Sequence, residues 1–124
     1  MAKFNILNKA EKVELYVFMI TDKSPKKLRC DIVPTVRNIA IQITNNISKA
    51  NIYNIGDSGQ LKKRQECQSE ALINLRLLEV QAEICNKMNY ITNAQLTNLS
   101  QLTFELYNMI TKWTESDLVR CTTE

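Results

Sequence analysis

The side chains with the clearest chemical grouping in this 124-residue chain are its cations. Lys23, Lys26, Lys27 and Arg29 fall close together, with Arg37 two turns further on. Lys62, Lys63 and Arg64 are consecutive, and Lys49 precedes them. Clustered cations of this kind neutralise phosphates by charge and release counterions, without reading sequence. The surplus is modest: 16 Lys and Arg against 13 Asp and Glu leave +3, with a pI near 8.7. Residues 92–117 are acidic on balance, with Lys112 facing Glu105, Glu115 and Asp117 in the count. Cations near helix N-termini oppose the macrodipole by about a few tenths of a kcal/mol each. Stability alone would not select them there, so the expectation is an anionic partner, most directly nucleic-acid backbone. Ordinary scatter of charge over a soluble surface is the competing reading.

Other chemistries find no support. The chain has no histidine, which removes Ser-His-Asp and Cys-His arrangements and the Glu-x-x-His pairs of di-metal bundles. Cys30, Cys67, Cys85 and Cys121 form no C-x-x-C pair, so neither a zinc site nor a disulfide framework is expected, and the thiols are read as reduced. No glycine-rich phosphate loop occurs. The expectation is a protein that is not an enzyme and uses no metal or cofactor. No apolar run approaches the ~20 residues of a membrane span. Lys9, Glu11, Lys12 and Glu14 interrupt the N-terminal apolar residues, which argues against a signal peptide and for a cytoplasmic protein without membrane contact.

The elements that must position these groups are helical. Hydrophobic residues make up 44% and charged residues 23%, as in a folded domain, and only two Gly and two Pro punctuate the chain. Apolar periodicity predicts helices over roughly 4–22, 31–53, 60–88 and 93–116 within a single domain spanning 1–124. Asp31 is the expected N-cap of the second helix, with Pro34 in its first turn. Asp57 or Ser58 caps the third, and the Asn-rich stretch before it, holding Gly56 and Gly59, is expected to be the most mobile part. Thr92 and Gln95 form a capping box for the fourth, with Ile91 and Leu96 as a hydrophobic staple. The tail from Ser116 is expected to fray. Short connections predict an all-α, up-down-up-down antiparallel four-helix bundle.

The stretch 61–88 organises the rest. It carries one apolar stripe of Leu61, Ala71, Leu72, Leu75, Leu78 and Ala82, with Cys85 at its edge, and a second on the opposite side: Ile73, Leu77, Val80, Ile84 and Met88. The first is expected to face the chain's own core and the second to form an oligomer interface. The second requires another helix, which a chain this short has to find in another copy of itself. The alternative is a central helix wrapped by its own neighbours. Tyr16 and Trp113 read as core, and Phe104 as part of a subunit contact.

Five segments, LNKAEKVELYVF, KSPKKLR, ISKANIYN, RQECQSEALINLRLLE and MITKWTES, occur in this order over roughly Leu7 to Asp117. In order and spacing the chain resembles the four-helix-bundle family of the accessory variability determinant of diversity-generating retroelements. That family also includes the small proteins encoded by intervening sequences in large-subunit ribosomal RNA genes. The resemblance implies a barrel-like homopentamer that binds RNA or DNA, associates with a reverse transcriptase and supports mutagenic cDNA synthesis without itself being catalytic. By match of position it implies Lys26, Lys27, Arg29, Arg64 and Arg76 as nucleic-acid-binding residues. The intervening-sequence proteins supply the alternative: a structural or protein-interaction bundle with no nucleic-acid role.

Overall fold

The computed structural model describes residues 2–22 and 32–123, with side chains described over 5–22 and 32–121. Four helices and no strand occur among these residues: α1 (Ala2–Asp22), α2 (Val33–Ile52), α3 (Ser58–Lys87) and α4 (Asn93–Thr123). α1 packs on α2 and α4, and α3 packs on α2 and α4, with the α2–α3 contact the most extensive. The core lies between them and is built from the stripes the periodicity marks. Val13 and Val17 of α1, Ile43 and Ile47 of α2, Leu75 and Leu78 of α3, and Leu106 and Ile110 of α4 are all fully buried. Each set recurs at three- or four-residue intervals, so a helix presents it as one face.

The helix ends follow local chemistry. Pro34 sits in the first turn of α2, whose N-cap position is Ile32 with no side-chain bond; Asp31, expected there, lies outside the described residues. Asp57 caps α3 by accepting from the Gln60 N–H at 3.1 Å. The connection before it is short and bonded. Asn54 Oδ1 accepts from the Gly56 N–H at 2.9 Å, and Gln60 Oε1 accepts from the Asn54 N–H at 2.9 Å. α3 ends in a Schellman motif. Tyr90 N–H donates to Cys85 O at 2.8 Å and Asn89 N–H to Asn86 O at 2.9 Å, with Asn89 at φ 64°. Asparagine tolerates this left-handed position better than other non-glycine residues.

The capping box of α4 forms as read: Thr92 Oγ1 accepts from the Gln95 N–H at 3.0 Å, and Gln95 Oε1 accepts from the Thr92 N–H at 2.9 Å. Ile91 is buried and Leu96 packs against the same core. Thr92→Ala removes an acceptor from an exposed helix start and is expected to cost about 1 kcal/mol, read as a lower urea midpoint at unchanged m-value. The far end of α4 departs from expectation. The helix does not stop near Ser116 but runs to Thr123, because Asp117 is 1% exposed and tied into the interior.

Between α1 and α4, Lys9 Nζ is hydrogen-bonded to Glu105, which also accepts from Gln101 at 3.1 Å. These bonds, the Lys9 one first, hold the Glu105 carboxyl below its usual range.

Candidate functional site

Two features bear on function: the outer face of α3 and the distribution of cations. Packing against α2 and α4 settles which stripe of α3 turns inward. Ala71, Leu75, Leu78, Ala82 and Cys85 are at most 3% exposed, whereas Ile73, Leu77, Val80, Ile84 and Met88 remain 38–53% exposed. The second stripe is therefore left uncovered by the chain's own helices. At 1.5 Å per residue the fifteen steps from Ile73 to Met88 cover about 22 Å. Arg76, at the stripe's margin, lies with its guanidinium 5.1 Å from the Tyr107 ring, and its Nη1 is 3.9 Å from Glu79. Phe104, one turn earlier on α4, is 55% exposed. Covering the five α3 side chains is worth on the order of 10 kcal/mol before association costs, at ~25 cal/mol per Å². A continuous exposed apolar row of this kind is a candidate interaction surface.

The cations divide differently from the sequence reading. Arg64 is not a surface residue. It is 6% exposed, and its Nε and Nη2 donate to the two oxygens of Asp117 at 2.6 and 3.0 Å. Its Nη1 donates to Tyr53 O at 3.1 Å and Ala50 O at 3.4 Å, and the guanidinium lies 5.0 Å from the Trp113 ring. Gln68, fully buried, donates its Nε2 to Asp117 at 2.9 Å. This removes Arg64 from any nucleic-acid surface: all its polar groups are spent on joining the end of α2 to α3 and α4. Arg37 does the same work for α1. Its Nε donates to Thr21 Oγ1 at 2.9 Å, its Nη2 donates to Phe18 O at 3.2 Å, and the guanidinium lies 4.6 Å from the Phe18 ring.

For these two arginines the macrodipole argument does not hold. Each stands early in its own helix, but its charge is delivered to the C-terminal carbonyls of the preceding helix, where a cation is favourable. Such positions therefore serve stability and need no external anion. A signal for the buried network was present in the sequence. Arg64 and Gln68 fall seven and three residues before Ala71, in phase with the inner stripe, and Asp117 falls four after Trp113.

Lys26, Lys27 and Arg29 lie outside the described residues, as do Lys23 and Cys30. Their charge is still informative. The segment 23–29 carries four cations and no acid, so the net +3 of the chain becomes −1 without it (3 − 4). Elsewhere Lys49, Lys62, Lys63 and Lys112 are exposed, with Lys63 Nζ 6.0 Å from the Tyr53 ring.

Burial pushes the thiols of Cys67 and Cys85 above the usual range, which keeps them protonated and poorly nucleophilic. Among the described residues, no three His, Cys, Asp or Glu side chains come together as a metal site. No described helix is long and apolar enough to cross a membrane. No family model matches the chain, and no curated protein matches it.

Proposed function

We propose that this protein is a non-enzymatic accessory protein of a diversity-generating retroelement. In this reading it is a cytoplasmic, up-down-up-down bundle that assembles through α3 into a barrel-like homopentamer. The assembly binds RNA or DNA by its phosphates and associates with a reverse transcriptase to support mutagenic cDNA synthesis. The observation that carries most weight is the uncovered row Ile73, Leu77, Val80, Ile84 and Met88 on a helix whose other face is already buried. Alternating helix direction is supported by the meeting of Asn5 of α1, Tyr53 after α2, Arg64 of α3 and Trp113 of α4 around one cavity.

The mechanism is electrostatic positioning. With Arg64 internal, the burden falls on Lys26, Lys27 and Arg29, joined by the exposed Arg76. Repetition around a ring turns one small patch into an extended basic surface. Phosphate contacts of this kind place a strand without reading its bases.

RNA binding measured between about 50 and 200 mM salt tests the reading, since each neutralised phosphate steepens the salt dependence. Affinity is expected to fall steeply with salt and to be lost in Lys26→Glu/Lys27→Glu/Arg29→Glu. Affinity that is flat with salt, or untouched by the triple substitution, would count against it. The second reading is a structural or protein-interaction bundle like the intervening-sequence proteins. It is favoured by the internal use of Arg37 and Arg64 and by the charge of −1 outside residues 23–29. It expects assembly without RNA binding at any salt concentration.

A further inference from the structure

At the end of the bundle where α2 meets α3, a cavity of about 830 Å³ opens between α1, the 53–55 connection and α4. We propose that it binds a single nucleotide unit, an aromatic base carrying a phosphate, taken either from a single strand or from a free nucleotide. The proposal builds on the nucleic-acid reading and is tested apart from it.

The volume falls within the roughly 300–1,000 Å³ of small-molecule sites. Its wall is partly apolar and aromatic: Tyr53 and Met109 line it together with Trp113, which is itself 8% exposed. Arg64 stacks on Trp113 at 5.0 Å and pins the ring, and because Arg64 is matched by Asp117 it adds no free charge to the floor. Free charge enters from α4. That charge is Lys112's; Ser116 and Arg120 line the cavity with it at four-residue intervals along one face of the helix. Lys112 is exposed and makes no ion pair among the described residues.

One polar group of the wall lacks a partner. Asn51 Oδ1 is buried with nothing donating to it. A ligand N–H would supply that donor after a small rotation of the side chain, since the atom is closed to water as it stands. A hydrocarbon chain would fill the space but leave both Lys112 and Asn51 unmatched. An aromatic ring with N–H donors and an attached anion matches all three parts of the wall, since stacking on Trp or Tyr tolerates any base.

Trp113 is the single tryptophan of the chain, so its fluorescence reports the cavity directly. The probes are adenosine monophosphate, adenosine, inorganic phosphate and a single-stranded oligoadenylate. Saturable quenching by the monophosphate, the oligomer or both is expected, with phosphate alone silent. Adenosine, or the use of Lys112→Glu protein, should weaken binding about ten-fold. Lys87→Glu, at the opposite end of α3, should leave it unchanged. Quenching by the oligomer alone assigns the site to a strand; quenching by the monophosphate as well assigns it to free nucleotides. The proposal fails if neither quenches up to roughly 10 mM monophosphate, a millimolar Kd being the weakest affinity of interest, or if Lys112→Glu binds as well as the native chain. RNA retention with Trp113 unperturbed would sink the cavity site and leave the phosphate-binding reading standing. Quenching by the monophosphate without RNA retention would do the reverse.

Discussion

Arg64→Met is expected to be among the most destabilising single substitutions in this chain. The methionine keeps most of the packing volume over Trp113 but leaves the Asp117 carboxylate in the interior with only Gln68 donating to it. The Tyr53 carbonyl loses the Arg64 donor in the same step, and the Ala50 carbonyl is left with the Tyr53 N–H at 3.3 Å. Removing one member of a buried pair typically costs about 3–5 kcal/mol, a large share of the ~5–15 kcal/mol that holds a domain together. The midpoint of thermal unfolding should drop by roughly 10–15 °C at fixed protein concentration. Asp117→Leu should cost a comparable amount by stranding the guanidinium. Arg64→Met/Asp117→Leu should lose less than the sum of the two, because no charge is then left unpaired. Its residual cost comes from the lost Arg64 bonds to the Tyr53 and Ala50 carbonyls and from Gln68, whose Oε1 already lacks a partner and whose Nε2 would lose one. Strictly additive losses, or single-variant losses below about 1 kcal/mol, would show that Arg64 is solvated and return it to the surface.

The second large effect is on assembly. Native protein is expected to have a solution mass several times its 14.3 kDa protomer, near five-fold if the ring is a pentamer. Leu77→Glu together with Ile84→Glu should reduce it to the protomer mass. Leu77 is 48% and Ile84 38% exposed, so the glutamates are accommodated in the free protomer without disturbing the core. In an assembled seam each would bury a carboxylate against apolar neighbours at several kcal/mol, more than such a contact can offset. Light scattering gives the mass, and circular dichroism checks that helix content is kept. A native protomer in solution would refute the ring and leave the α3 row for a different partner. An unchanged mass in the double variant would place the seam elsewhere, with Phe104, Leu118 and Val119 the next exposed apolar group to test.

The two predictions differ in how much of their basis was legible before the fold was known. The α3 row was readable: period alone separates Ile73, Leu77, Val80, Ile84 and Met88 from the stripe opposite. Period does not say which of two similar stripes turns inward, because each is a helical face of comparable size. That was decided by α2 and α4 settling on Ala71, Leu75 and Leu78. The Arg64 network was read in the opposite sense. A charged side chain reads as surface until a partner is placed beside it, and Asp117 stands 53 residues away. The same distance hid the reason α4 continues past Ser116, where the local apolar residues Leu118 and Val119 are exposed and the buried anchor is Asp117.

Local sequence therefore determined what depends on neighbours in the chain. It set the helical class, the apolar faces, the Asp57 cap, the Thr92–Gln95 box and the absence of histidine chemistry, since caps and periodicity act over three or four residues. Tertiary structure alone decided which cations are available. It drew Arg37 and Arg64 onto the C-terminal carbonyls of the preceding helices, left Lys112 and Arg76 outward, and brought Asn51 and Trp113 to one cavity. The reason is that the fate of a charge depends on the dielectric and partners around it, and both are set by helices that meet only when the bundle closes.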